Sequence, residues 1–111
     1  MPDFAPTLTL DHGGAEGYNP TAVLISDIPL SEAAPAPLTT DFSATVGGNA
    51  IDISGVTIIN GGSQVDIVMI NIEEHTGDVL LSFSNASGNC RSATDDTPAN
   101  PFTDMLTGTI A

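Results

Sequence analysis

Between residues 41 and 84 the chain reads DFSATVGGNAIDISGVTIINGGSQVDIVMINIEEHTGDVLLSFS. Four runs rich in β-branched and aliphatic residues are separated by Gly-Gly, Asn-Gly-Gly and Thr-Gly-Asp. That pattern predicts consecutive antiparallel strands joined by tight turns. In the first run Phe42, Ala44 and Val46 point one way and Ser43 and Thr45 the other. After Gly47-Gly48, Ile51 and Ile53 alternate with Asp52 and Ser54, and Gly55 marks a bulge that lets Val56 and Ile58 continue the core face. Residues 65–72 are nearly continuously apolar, the pattern of a central strand covered on both faces. Residues 73–78 make a turn, and Val79, Leu81 and Phe83 then share one face.

The flanks extend the same grammar. Residues 6–10, PTLTL, predict a first strand with Pro6 just outside it, and residues 11–20 form a Gly-rich loop holding His12. A lone loop histidine is more often solvated than a ligand. Residues 22–30 predict a second strand ending near Pro29. The Pro/Ala-rich stretch 31–40 reads as a crossover between two sheets, with one helical turn at 31–34. Residues 85–104 are polar and lack strand periodicity; loops of that length are often functional or ordered by a partner. Residues 105–111 give a final strand. The expectation is one all-β domain over residues 1–111: an antiparallel β-sandwich of about seven strands with a long polar loop at 85–104.

Charge narrows the function. Fourteen acids stand against one arginine and no lysine, a formal net charge of −13. Phosphate binding needs Lys and Arg to displace counterions, so nucleic acid is excluded as a partner, and an anionic membrane surface is disfavoured for the same reason. The self-repulsion of such a surface fades near 1 M salt, where the Debye length is about 3 Å, which fits a marine or halophilic setting as well as it fits plain solubility. One cysteine, Cys90, rules out an internal disulfide. No apolar run reaches membrane-spanning length, and MPDFAPTLTL lacks the basic and apolar segments of a secretory signal.

Candidates for chemistry are few. Neither histidine lies in a nucleophile motif, and no G-x-S-x-G elbow is present. Cys90 is followed by Arg91, which would lower a thiol's pKa, although an incidental free thiol is the commoner case. Glu73, Glu74 and His75 read as a solvated turn, since adjacent strand residues point to opposite faces. Calcium is the stronger candidate, because Asp95, Asp96, Asn100 and Asp104 supply hard oxygen ligands within one loop. Their spacing matches no EF-hand, and a solvated acidic loop is the plainer reading. Asn85-Ala86-Ser87 fits a glycosylation sequon, discounted for want of a secretion signal.

The middle of the chain resembles the SwmB-type Ig-like repeat of large cyanobacterial surface proteins. The likeness covers residues 22–89 and runs through Phe42, Val46, Gly48, Val56, Val65, Ile67, Gly77, Asp78, Val79 and Phe83, with AVLISDIPL matching the preceding element. Phe83 stands where the family usually has Tyr, and the Asp-rich ending is spread over residues 95–104. The resemblance implies an Ig-like β-sandwich and transfers no catalytic residue. No enzyme is expected. The first functional expectation is a virion structural protein, made in the host cytoplasm and decorating a phage capsid. It would bind a protein shell or neighbouring subunits through loops, terminal arm and sheet edges, with homo-oligomerisation on assembly. Asn85, Asn89, Arg91, Phe102 and Phe4 are the contact candidates. The alternative is an adhesive or carbohydrate-binding module of a cell surface, stabilised by calcium. The scarcity of aromatics disfavours it, because Phe42 and Phe83 fall on core faces and leave Tyr18 as the available sugar platform.

Overall fold

A computed structural model describes residues 3–12, 18–33, 36–71 and 75–110, with backbone alone for residues 8–12, 18 and 19. The described residues form seven strands: β1 (Phe4–His12), β2 (Tyr18–Ser26), β3 (Phe42–Val46), β4 (Asn49–Ile59), β5 (Gln64–Ile70), β6 (Gly77–Phe83) and β7 (Phe102–Ile110). No α-helix occurs among the described residues; the helical elements are two single 3-10 turns, Thr39–Asp41 and Asn60–Gly62. The expected turn at 31–34 is not helical through Ala33, and residue 34 lies outside the described residues.

All pairings are antiparallel, in the order β1-β2-β5-β4-β3-β6-β7. Lettered A to G in chain order, this is A-B-E-D followed by C-F-G, the strand order of immunoglobulin constant-type domains. Strand β4 joins the two groups. Ile51 pairs with Ala44 of β3, and from Asp52 onward the strand pairs with β5. A register shift between Ile53 and Gly55 marks the bulge expected at Gly55. The segment read as a crossover between two sheets links β2 to β3, and the ladders join all seven strands in one sheet.

The core is aliphatic and continuous: Leu24, Val46, Val65, Ile67, Met69, Val79 and Leu81 are fully buried. Phe42, Ala44 and Val46 of β3 are buried while Ser43 is exposed, as alternation predicts. At one end the sheet closes on itself through its aromatics. Phe83 stacks on Phe42 at 4.6 Å and lies 5.8 Å from Phe4 and 5.7 Å from Phe102, and Phe4 meets Phe102 edge-on at 6.1 Å. The two outermost strands, β1 and β7, are thereby brought together. Beside the rings, the Asn100 side-chain amide donates to Asp3 Oδ1 at 2.6 Å.

Strand ends differ from expectation. β1 reaches back to Phe4 and on to His12, and β2 starts at Tyr18, so the glycine-rich loop is shorter than predicted and Pro6 lies inside β1. Pro6 is tolerated because β1 is an edge strand, where a missing N–H costs no ladder bond on the open side. β7 starts at Phe102 rather than residue 105, which places Phe102 and Asp104 on a strand.

Turn glycines are set by backbone geometry. Gly47 and Gly48 both have positive φ (56° and 85°), as a two-residue hairpin turn of primed type requires. Gly62, at φ 90°, lies so close to the crossover that a Cβ there would fall 2.1 Å from the Leu30 carbonyl oxygen. Gly62 also accepts the Leu30 N–H at 2.8 Å, tying the β4–β5 turn to the end of the β2 segment. Gly61, at φ 66°, faces open space. Gly62→Ala is therefore expected to cost about 3 kcal/mol, against about 1 kcal/mol for Gly61→Ala. Urea unfolding of the two variants checks this, and equal losses would contradict it.

Candidate functional site

Polar side chains concentrate where the β2–β3 crossover meets the connection between β6 and β7. At its centre is Asp41, 1% exposed. Asp41 ends the 3-10 turn and reaches back to accept the Leu38 N–H at 3.0 Å on Oδ2, a capping arrangement. Ser87 Oγ donates to Oδ2 at 2.6 Å and the Ser87 N–H to Oδ1 at 2.8 Å. The Asp41 carbonyl accepts the Ser84 N–H at 2.9 Å. Burial by itself would raise the carboxyl's pKa. The bonds from the Ser87 hydroxyl, the Ser87 N–H and the Leu38 N–H outweigh burial and hold the group below its ordinary value.

The connection itself, residues 84–101, is folded onto the body. Ser31 N–H donates to Arg91 O at 2.8 Å, Ala93 N–H donates to Pro29 O at 2.9 Å, and Leu30 bridges Ser92. Arg91 bridges Pro98, closing a small internal turn. Cys90, Ser92 and Ala99 are buried. These bonds correct the reading of residues 85–104 as a stretch without structure. Strand periodicity is missing because turns, single bridges and side chains such as Asn85, in place of a continuous ladder, satisfy the backbone.

The predicted contact residues serve that bracing. Asn85, in a left-handed conformation (φ 51°), donates through Nδ2 to Cys90 O at 3.1 Å and accepts the Cys90 N–H on Oδ1 at 3.3 Å. Asn89 Nδ2 donates to Ala36 O at 2.9 Å, and Arg91 pairs with Asp96 at 3.4 Å. Phe4 and Phe102 belong to the aromatic cluster.

The proposed calcium ligands go to separate places. Asp95 caps its own turn, accepting Thr97 Oγ1 at 2.8 Å and the Thr97 N–H at 3.2 Å, and the hydroxyl and N–H bonds hold its carboxyl below the ordinary value. Asp96 faces Arg91, Asn100 faces Asp3, and the Asp104 N–H is on β7, donating to Ser82 Oγ. Among the described residues, no three His, Cys, Asp or Glu side chains gather as a metal site. Glu73 and Glu74 lie outside the described residues, while the His75 N–H and carbonyl are both held by the side chain of buried Asn71.

Cys90 does not behave as its neighbour Arg91 would suggest. The thiol is fully buried, and burial followed by the nearby Asp41 carboxylate pushes its pKa up to about 11. The thiolate, the nucleophilic form, is thereby suppressed.

Beside the Asp41 knot is an open depression of about 380 Å³. Thr40, Ser43, Ser82, Ser84 and Thr103 line it with hydroxyls, and Phe102 and Pro101 supply apolar surface. Asp41 also lines it, but its two carboxylate oxygens already hold three donors, so it is spent as a base. Such a surface offers hydrogen bonds to a neutral polar ligand. The sequence carries no signal for the role of Asp41, because Leu38 is not a capping residue and Ser87 lies 46 residues away. Comparisons with protein-family models, with curated proteins and with solved structures return no match.

Asp41→Asn, which turns an amide toward N–H donors, is expected to lower stability by about 2 kcal/mol. The depressed carboxyl stabilises the fold above its unfolded value of 3.8, and that contribution is lost as pH falls through the lower folded value. Acid unfolding should therefore be steeper below about pH 4 in the wild type than in the variant, as a pH series of melting curves would show. Cys90 has the opposite sign. Its raised pKa contributes stability that is complete below the unfolded value of 9.0 and is lost as pH rises toward about 11. Cys90→Ser should flatten the alkaline loss of stability across that window, and the wild-type thiol should react with a thiol reagent only on unfolding.

Proposed function

We propose that this chain is a non-enzymatic structural protein that works by binding other proteins, most specifically as a decoration or accessory protein of a phage capsid. The supporting observation is how the side chains are used. Asp41, Asn85, Ser87, Asn89, Asp95 and Arg91 are bonded into the frame, and the cysteine is buried with its thiol protonated. Large aliphatics are also turned outward among the described residues: Ile25 on β2 and Val68 on β5, besides Leu38 and Leu106. Structurally committed polar groups beside exposed apolar surface support a reading of association with other proteins.

The acidic surface fits a position on the outside of a shell, away from packaged nucleic acid, which it would repel. The SwmB-type likeness of residues 22–89 supports a second assignment, an adhesive module of a cell surface. It is the weaker one, because all four phenylalanines are engaged in the internal cluster.

Quantitative mass spectrometry of purified particles, cell envelope and soluble fraction decides between them. The capsid proposal expects a copy number comparable to a major shell protein in the particle fraction. Enrichment in the envelope would overturn it in favour of the surface module.

A further inference from the structure

Strand β5 was expected to be covered on both faces, and in the structure one face is open. Val65, Ile67 and Met69 point into the core and are fully buried. On the other side, Val68 is 36% exposed, and Ile25 of the neighbouring β2 is 44% exposed. The register places more aliphatics on that outer face. Ile25 lies opposite Gln64, which lies opposite Ile59; Val23 lies opposite Asp66; and Val68 is followed two residues on by Ile70. Val23, Ile59 and Ile70 are partly exposed.

A sheet with one solvated face normally alternates apolar and polar residues. Here β2 reads Ala22-Val23-Leu24-Ile25 and β5 reads Ile67-Val68-Met69-Ile70, with apolar residues on both faces. Aliphatics on three adjacent strands, interleaved with Thr21, Gln64, Asp66 and Thr57, make a mixed face whose apolar part is of the kind that marks an interaction surface. The charges on it are of one sign: Asp66, braced by Gln64 Nε2 at 2.8 Å, lies within the patch, and Asp52 lies opposite Ile70 at its edge.

We infer that the outer face of β2, β5 and β4 docks a protein surface that is aliphatic at its centre and carries lysine or arginine opposite Asp66 and Asp52. A second copy of the chain is the less favourable occupant. It would set acid against acid in a protein of net charge −13 whose single arginine is already paired with Asp96. A partner with basic groups gains from the same field. The inference rests on the reading of the chain as a binding module, and not on which particle it serves.

The test uses the full chain and two short synthetic β-hairpins with one face of valine and isoleucine, bordered either by lysine or by glutamate. Binding is followed by calorimetry, and amide exchange maps the footprint. The lysine hairpin should bind at least about tenfold more tightly than the glutamate one, protecting β2 and β5, and it should weaken with salt. Val68→Thr combined with Ile25→Thr keeps β-branching and strand propensity. It should lower affinity by about tenfold with the circular dichroism spectrum unchanged. Asp66→Asn should reduce the salt dependence. Equal binding of the two hairpins, or a footprint on another surface, overturns the inference. So does dimerisation in 1 M salt that the double variant abolishes, since the occupant is then a second copy. Hairpin failure with shell-like copy numbers in the particle refutes this face and leaves the binding-module reading standing. Hairpin binding by a chain absent from particles upholds this face and the binding-module reading and refutes the capsid assignment alone.

Discussion

Phe83 holds the two ends of the sheet together. A seven-stranded antiparallel sheet has two open edges, and each offers unpaired backbone groups to any passing strand. In this protein the edges are drawn toward each other by rings. Phe42 is directly opposite Phe83 in the β3–β6 ladder, and Phe102 is directly opposite Phe83 in the β6–β7 ladder. Three rings thus form one cross-strand row, and Phe4 of β1 closes over it. Each aromatic pair contributes about 0.5–1.5 kcal/mol beyond its buried area. Because the contacts join β1 to β6 and β7, their loss would release strands that no hydrogen-bond ladder connects.

The polar knot continues from this row. Asp41 immediately precedes Phe42 and Ser84 immediately follows Phe83, so stacking the rings brings the two backbones into bonding distance. Ser87 then bonds the buried carboxylate, and the rest of the β6–β7 connection is laid against residues 29–31. An ionised carboxylate survives at 1% exposure because three donors replace the water it has lost. The long connection is therefore part of the frame. Its acids stay at the surface, Asp95 held by Thr97 and Asp96 by Arg91, while its amides bond backbone groups or Asp3, which is why they do not gather around an ion.

What the body presents outward follows from how it is held. Acids outnumber basic residues fourteen to one, yet β2, β5 and β4 carry aliphatics on the side turned away from the core. On the inference drawn above, acidity would keep copies apart while the aliphatic area would favour association with a basic partner. That combination, more than any one residue, supports a binding role on a shell or surface.

Much of this was legible in the chain. Gly47-Gly48 and Asn60-Gly61-Gly62 supply left-handed turns, alternation supplies the inner faces of β3 and β6, and Gly55 supplies the bulge; each of these is decided within a few residues. Other features were not legible. The true start of β7 at Phe102, the role of Asp41 and the burial of Cys90 depend on contacts remote in sequence, such as Phe102 with Phe83 and Ser87 with Asp41. The candidate calcium ligands looked like a cluster because they are near in sequence, and the fold gives each a different neighbour. Residues 65–72 likewise showed only that both faces of a strand are apolar. Local pattern determined the strands and their turns, because a side-chain period and a backbone dihedral are local properties. Which face is covered, which acid is buried and which loop is rigid were decided by tertiary structure alone, because only packing sets what lies opposite.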